Sequence, residues 1–227
     1  MQKIIVFDLD GTLAETAGDL IATLNVILAR EEIGPVPLAE GRKMVGAGAR
    51  ALIQRGFERA GRDIEGPRLE KLFDDFIAHY EANIANESHL FDGVEAALDN
   101  FAAEGWLAAV CTNKIEAPSR HLLGALGAAH RFAAICGQDT FRAGTEAIFK
   151  PDPRALLMTI AKAGGDPQRA VMVGDSRTDI DTAKAASVPV VAVDFGYTDR
   201  HVSEFAPNAV ISHFDELAAA VADLKIG

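Results

Sequence analysis

The sequence predicts an α/β fold: a parallel sheet with helices on both faces, and an all-helical segment inserted after the first strand. Three observations carry this. Ile4, Ile5, Val6 and Phe7 form a continuous apolar run that stops at Asp8, which suits a strand buried on both faces. From residue 88 onward, short apolar strands alternate with helical stretches, which implies right-handed βαβ units. Between these regions, residues 15–87 show helical spacing and no convincing strand.

The elements follow in order. Residues 14–30 repeat apolar side chains at Leu20, Leu24, Ile27 and Leu28, with Thr16 as a candidate N-cap. Gly34-Pro35-Val36-Pro37 stops that helix. Helical stretches at 38–45 and 49–60 flank the break Gly46-Ala47-Gly48. Pro67 opens a helix to about residue 83, with Leu69, Leu72, Phe73, Phe76, Ile77 and Tyr80 on one stripe. Beyond Gly93, helices are expected at 94–104, 119–126, 150–163, 179–186 and 216–224. Strands are expected at 107–111, 133–136, 170–173, 190–193 and 209–211.

The chain has 227 residues, 49% hydrophobic and 24% charged, enough for one sizeable core with a smaller unit. Its formal net charge is −11 with no basic block, which argues against nucleic acid or an anionic membrane as partner. Cys111 and Cys136 lie in apolar runs and read as buried free thiols in a reducing compartment. No apolar run approaches a membrane span, and Asp8 comes too early for a signal peptide, so a cytoplasmic location is expected. The six histidines form no ligand-spaced cluster.

Polar residues follow three of the strands: Asp8 and Asp10, then Thr112 and Asn113, then Asp175. Parallel neighbours would bring these ends to one crevice, where open α/β sheets bind ligands. Asp8 and Asp10 also suit a turn, but two carboxylates this close oppose each other's ionisation, so a cation or a proton must share the site. Lys150 precedes a helix, and Asp179 lies four residues beyond Asp175. Carboxylates suit Mg²⁺, while a lysine and a helix N-terminus suit a phosphate. A carboxylate can also take a phosphoryl group, and a second acid can protonate the leaving oxygen.

Four stretches, Asp8-Leu9-Asp10-Gly11-Thr12-Leu13, Thr112-Asn113, Lys150-Pro151-Asp152-Pro153 and Gly174-Asp175-Ser176-Arg177-Thr178-Asp179, resemble the ordered motifs of the haloacid dehalogenase superfamily. The resemblance covers the whole chain. It implies a Rossmann-like catalytic core over residues 1–14 and 88–227 and a helical cap domain over 15–87. It also implies Asp8 as nucleophile and Mg²⁺ ligand, and Asp10 as general acid and base that binds the metal through its carbonyl. Thr112 would bond the phosphoryl oxygens, Lys150 would neutralise charge, and Asp175 would be a metal ligand. Asp179, with Asn113, would support this set from behind. Residues 8–20 and Val45-Gly46-Ala47-Gly48-Ala49-Arg50-Ala51-Leu52 are most similar to the bacterial phosphoglycolate phosphatases. The expected partner is thus a small phosphate monoester, 2-phosphoglycolate, acted on by a monomer or homodimer. A phosphosugar phosphatase, a phosphomutase and a non-catalytic binding protein are the alternatives.

Two further expectations concern the substrate and the fold. Gly46 and Gly48, before a helix, offer free N–H groups to a second anion, with Lys43 and Arg50 as nearby cations. Ser187 stands where the family places a glycine, which matters if that position is a left-handed helix cap.

Overall fold

In chain order the elements of this computed structural model are β1 (Gln2–Phe7), β2 (Ala14–Glu15), α1 (Ala17–Arg30), α2 (Leu38–Gly41), α3 (Ala49–Arg59), α4 (Gly66–Ala82), β3 (His89–Leu90), α5 (Val94–Ala103) and β4 (Leu107–Cys111). Then come α6 (Glu116–Ala125), β5 (Ala134–Cys136), β6 (Phe141–Ala143), β7 (Glu146–Ile148), α7 (Pro153–Ala163), β8 (Gly165–Gly174), α8 (Arg177–Ala185), β9 (Val190–Val193), β10 (Ala209–Ile211) and α9 (Leu217–Asp223). The structure describes residues 2–198, 200–224 and 226.

Six strands form a sheet in the order β10-β9-β8-β1-β4-β5, with every pairing parallel. Alternation along β1 explains the two covered faces. Ile5 and Phe7 pack in one cluster with Val94 and Leu98 of α5, Leu122 of α6 and Leu217 of α9. Ile4 and Val6 pack in another with Leu156 and Ile160 of α7 and Ile180 of α8. A strand buried on both sides has no polar face, hence the uninterrupted apolar run. The chain fills one side of β1 with β4 and β5, then the other with β8, β9 and β10. The strand order therefore reverses at β1, and the crevice beyond its carboxyl end is where such sheets bind ligands.

Helices α1, α3 and α4 share a separate cluster that includes Leu24, Ile53, Phe57, Phe76 and Tyr80. The chain enters and leaves this unit through a short antiparallel ladder, with Ala14 opposite Leu90 and Glu15 opposite His89. Glu15 thus belongs to a strand where helix is expected. Asp19, buried in the first turn of α1, ties the returning chain. Its carboxylate accepts from the Ser88 N–H at 2.9 Å and the Ser88 hydroxyl at 2.6 Å.

Other differences have local causes. The helix expected at 38–45 stops at Gly41 and tightens into a 3₁₀ turn over Arg42–Met44, because Val45 is extended and Gly46 has φ +112°. Helix α6 begins three residues early, since Pro118 sits in the first turn, where an N–H has no intrahelical partner. The hairpin of β6 and β7 is absent from the sequence reading: three-residue strands are too short to show a period. Thr16 occupies the N-cap of α1 but makes no capping bond. The Tyr197 hydroxyl caps it instead, accepting from Thr16 N–H at 2.6 Å and Ala17 N–H at 3.0 Å.

Ser187 does adopt a left-handed conformation, with φ +56°. Its N–H bonds the Lys184 carbonyl and the Val188 N–H bonds the Ala183 carbonyl, the two bonds of a Schellman cap. A side chain strains this geometry by about 1 kcal/mol. Ser187→Gly is therefore expected to stabilise the protein by about 0.5 kcal/mol after the glycine's extra unfolded-state entropy is subtracted. Denaturant melts that show a loss instead would contradict this reading of the cap.

Candidate active site

Asp8, Thr112 and Asp175 each follow the end of a strand, β1, β4 and β8, and these three strands are neighbours. The register brings the expected residues together. Lys150, just before α7, is 2% exposed. Its ammonium lies 2.9 Å from Asp8 Oδ1 and 2.6 Å from Asp179 Oδ1. Asn113 holds the lysine's backbone, donating from Nδ2 to the Lys150 carbonyl at 3.0 Å. Asp179 is the third residue of a capping box at the start of α8. Its Oδ2 accepts from the Ser176 N–H at 3.0 Å and the Ser176 hydroxyl at 2.6 Å, which leaves Oδ1 for the lysine. Asp179 is thus both a helix-start residue and the anchor of Lys150. The Ser-x-x-Asp spacing was the available signal for the cap.

Asp175 is fixed at both oxygens, by the Thr12 hydroxyl at 3.1 Å and the Tyr197 N–H at 2.7 Å. Gly11 has φ +83°, and a Cβ there would sit 2.6 Å from Asp175 Oδ2. Side chains at Gly174 and Gly196 would collide with Asp179 and Asp175. Three glycines therefore keep the space around these carboxylates clear.

Carboxylate oxygens of Asp8, Asp175 and Asp179 all lie within 4.8 Å of one another, and all three residues are buried. Three acids against one lysine leave two negative charges uncompensated once ionised. Burial accordingly raises Asp8 from 3.8 to about 6, with Lys150 opposing and Asp179 and Asp10 adding to the shift. Burial, then Asp179 and Asp8, raise Asp175 from 3.8 to about 8. Lys150 is raised: burial alone would lower it, but Asp179 and Asp8 outweigh that. An oxygen-rich, electron-dense cluster of this kind fits a hard divalent cation.

The pH dependence follows from these shifts. A carboxylate whose folded pKa is raised contributes stability that is complete below its unfolded value of 3.8 and lost as pH rises through about 6 for Asp8 and about 8 for Asp175. With divalent cations chelated, the melting temperature is expected to fall across that window. Saturating Mg²⁺ should remove most of the fall, because the cation binds the ionised cluster. An equal fall with and without Mg²⁺ would show that these carboxylates do not hold it.

The Asp10 side chain lines the same cavity as Asp8 and is held by two neighbours. It accepts from the Thr16 hydroxyl at 2.7 Å and from Lys114 at 3.1 Å. The cavity, of about 40 Å³, lies between the sheet ends and the helical unit. Asp8, Asp10 and Thr112 line it from below, and Gly46, Gly48 and Phe76 from above. Gly48 has φ +86°, and a Cβ there would lie 3.2 Å from the Asn113 carbonyl, so the loop approaches the core closely.

Two expected residues are not brought in. Lys43 is exposed and does not line the cavity. Arg50 lies outside it too: its guanidinium makes three bonds to Glu70, at 2.9, 3.3 and 2.6 Å, and stacks on Phe73. Conversely, Lys114 and Tyr80 line the cavity and Tyr197 braces Asp175. The sequence signal for Lys114 was its place directly after Thr112-Asn113. Tyr80 was hidden in an apolar stripe, and Tyr197 had no local signal. Cys111 is buried beside the site with its thiol pushed up to about 12 by burial, a packing group and not a nucleophile.

Fold and site define an α/β enzyme with a buried acidic cluster at its strand switch point and a helical unit above it. Residues 5–193 match the family model of the haloacid dehalogenase-like hydrolases, and the chain belongs to that family. A phosphoglycolate phosphatase of Mesorhizobium japonicum is 54% identical over 225 residues, covering 99% of this chain and 97% of the relative. One from Agrobacterium fabrum is 42% identical, covering 97% and 93%. The crystal structure of a predicted phosphoglycolate phosphatase from Haemophilus somnus superposes with a TM-score of 0.87 at 27% identity, covering 96% and 97%.

Proposed function

We propose that the chain is a Mg²⁺-dependent phosphatase acting on 2-phosphoglycolate through an aspartyl-phosphate intermediate. The observation that carries this is the buried Asp8–Lys150–Asp179 chain with Asp175 alongside. Lys150 presents its charge to Asp8, where a phosphoryl group would arrive. Asp8 and Asp175, with the Asp10 carbonyl, would hold Mg²⁺, which neutralises phosphoryl charge when bound. The relatives supply the substrate.

In the first step an Asp8 oxygen attacks phosphorus, and the ester P–O bond breaks. The leaving glycolate oxygen takes a proton from Asp10. In the second step Asp10 removes a proton from water as that water attacks the aspartyl phosphate. The Asp8 oxygen leaves, and inorganic phosphate is released. Thr112 would bond phosphoryl oxygens from the end of β4. Residues 15–87 would act as the cap over a core of 1–14 and 88–227, excluding water and selecting what lies beyond the phosphate. Gly46 and Gly48 would bring backbone N–H groups to the substrate.

No described helix is long and apolar enough to cross a membrane. Cys111 and Cys136 are both free, consistent with the cytoplasm as the enzyme's compartment. Phosphate release from 2-phosphoglycolate, phosphosugars and an aryl phosphate, each with Mg²⁺ or chelator, tests the reading. The highest kcat/KM is expected for 2-phosphoglycolate, with loss under chelation. A phosphosugar in first place, or activity that survives chelation, would overturn it.

A further inference from the structure

Lys114 is the only cationic side chain lining the cavity among the described residues. Its side chain is 8% exposed, and its ammonium sits 3.1 and 3.4 Å from the two Asp10 oxygens. On its other side it faces the Tyr80 ring, 4.3 Å from the centroid. An ammonium has three N–H donors, so Asp10 does not exhaust it.

Tyr80, on α4, is 1% exposed, and its hydroxyl has no hydrogen-bond partner. The hydroxyl oxygen lies close enough to the Lys114 ammonium to interact with it, and its own O–H finds no acceptor. A buried hydroxyl left unpaired costs about 1–3 kcal/mol, so the site is incomplete without an acceptor. An ammonium with a spare donor and an unpaired hydroxyl, side by side in a cavity walled by Leu20, Leu52 and Phe76, suit a compact anion. Asp8 lines the same cavity, so a ligand whose phosphate reaches Asp8 can extend towards Lys114.

We propose that Lys114 and Tyr80 form the subsite for a second anionic group of the substrate, a carboxylate one carbon from the ester oxygen. This rests on the substrate reading above and assigns its selectivity to a core-loop lysine and a cap-helix tyrosine, in place of Arg50 and Lys43. Discrimination then depends on the cap being closed, because the two residues come from opposite sides of the cavity.

The test compares 2-phosphoglycolate with ethyl phosphate, which lacks the carboxylate. Lys114 also contacts Asp10, so any general loss of turnover cancels in the ratio of the two kcat/KM values. Lys114→Met is expected to reduce the preference for 2-phosphoglycolate about 30-fold and Tyr80→Phe about 5-fold, mainly through KM. A wild-type preference that both variants retain would overturn the subsite and leave the substrate reading standing. No preference in the wild type would overturn both. If Lys114→Met does not fold, Tyr80→Phe decides, since it removes a single oxygen and keeps the ring.

Discussion

Asp8→Asn is expected to fold normally and to lose hydrolysis by at least about 10⁴-fold. The amide keeps the shape of the carboxylate, and its oxygen can still accept from the Leu9 N–H, now 2.7 Å away, and from Lys150. It lacks the negative oxygen that attacks phosphorus, and without an attacking atom positioning alone cannot make the covalent bond. Stability should not suffer. Asp8 is a buried carboxylate whose pKa is raised to about 6 by burial, so neutralising it removes an unfavourable charge above that pH when no cation is bound. The combination of an unchanged or raised melting temperature and absent turnover separates a chemical role from a structural one. Rapid-quench labelling should trap phosphate on the wild type and none on the variant. Substantial Mg²⁺-dependent turnover by pure Asp8→Asn protein would refute the covalent route.

The parts of the fold legible in the sequence were those written in local patterns. Ile4 to Phe7 announced the central strand, because a strand with helices on both faces cannot carry a polar side chain. The polar residues after each strand could be assembled in advance, since parallel strands end on one side. Contacts made across the chain were not legible. Tyr197 caps α1 from 181 residues away and grips Asp175 with its N–H, yet nothing near it distinguishes it from a core tyrosine. Tyr80 fits the apolar stripe of α4, and only its unpaired hydroxyl in the folded protein sets it apart. The placement of Arg50 away from the cavity has the same origin. Proximity in sequence to Gly48 suggested the cavity, but α3 packs against α4, where Glu70 and Phe73 engage the guanidinium. Exposed pairs of this kind contribute about 0–1 kcal/mol and say little about ligands.

Lys150→Met is expected to damage both stability and turnover, and the two losses should respond differently to a second change. Among the described residues the lysine is the one cation inside the buried acid cluster, 2.6 Å from Asp179 and 2.9 Å from Asp8. Removing it leaves the three buried carboxylates of Asp8, Asp175 and Asp179 without a counter-charge, a defect of about 3–5 kcal/mol in the metal-free protein. The methionine fills most of the volume, so the loss reports charge more than a cavity. Asp179→Asn on the same background removes one of the stranded charges. Its amide oxygen can still accept from Ser176, which preserves the start of α8. The double variant should therefore recover most of the stability. Turnover should not return: Lys150 is needed where charge develops on the phosphoryl group, and loss of such a contact lowers kcat by about 10³-fold. Denaturant melts and single-turnover kinetics on the two variants separate these effects. If Asp179→Asn restored turnover along with stability, the lysine would be a structural counter-ion, and the charge neutralising the phosphoryl group would have to come from elsewhere in the site.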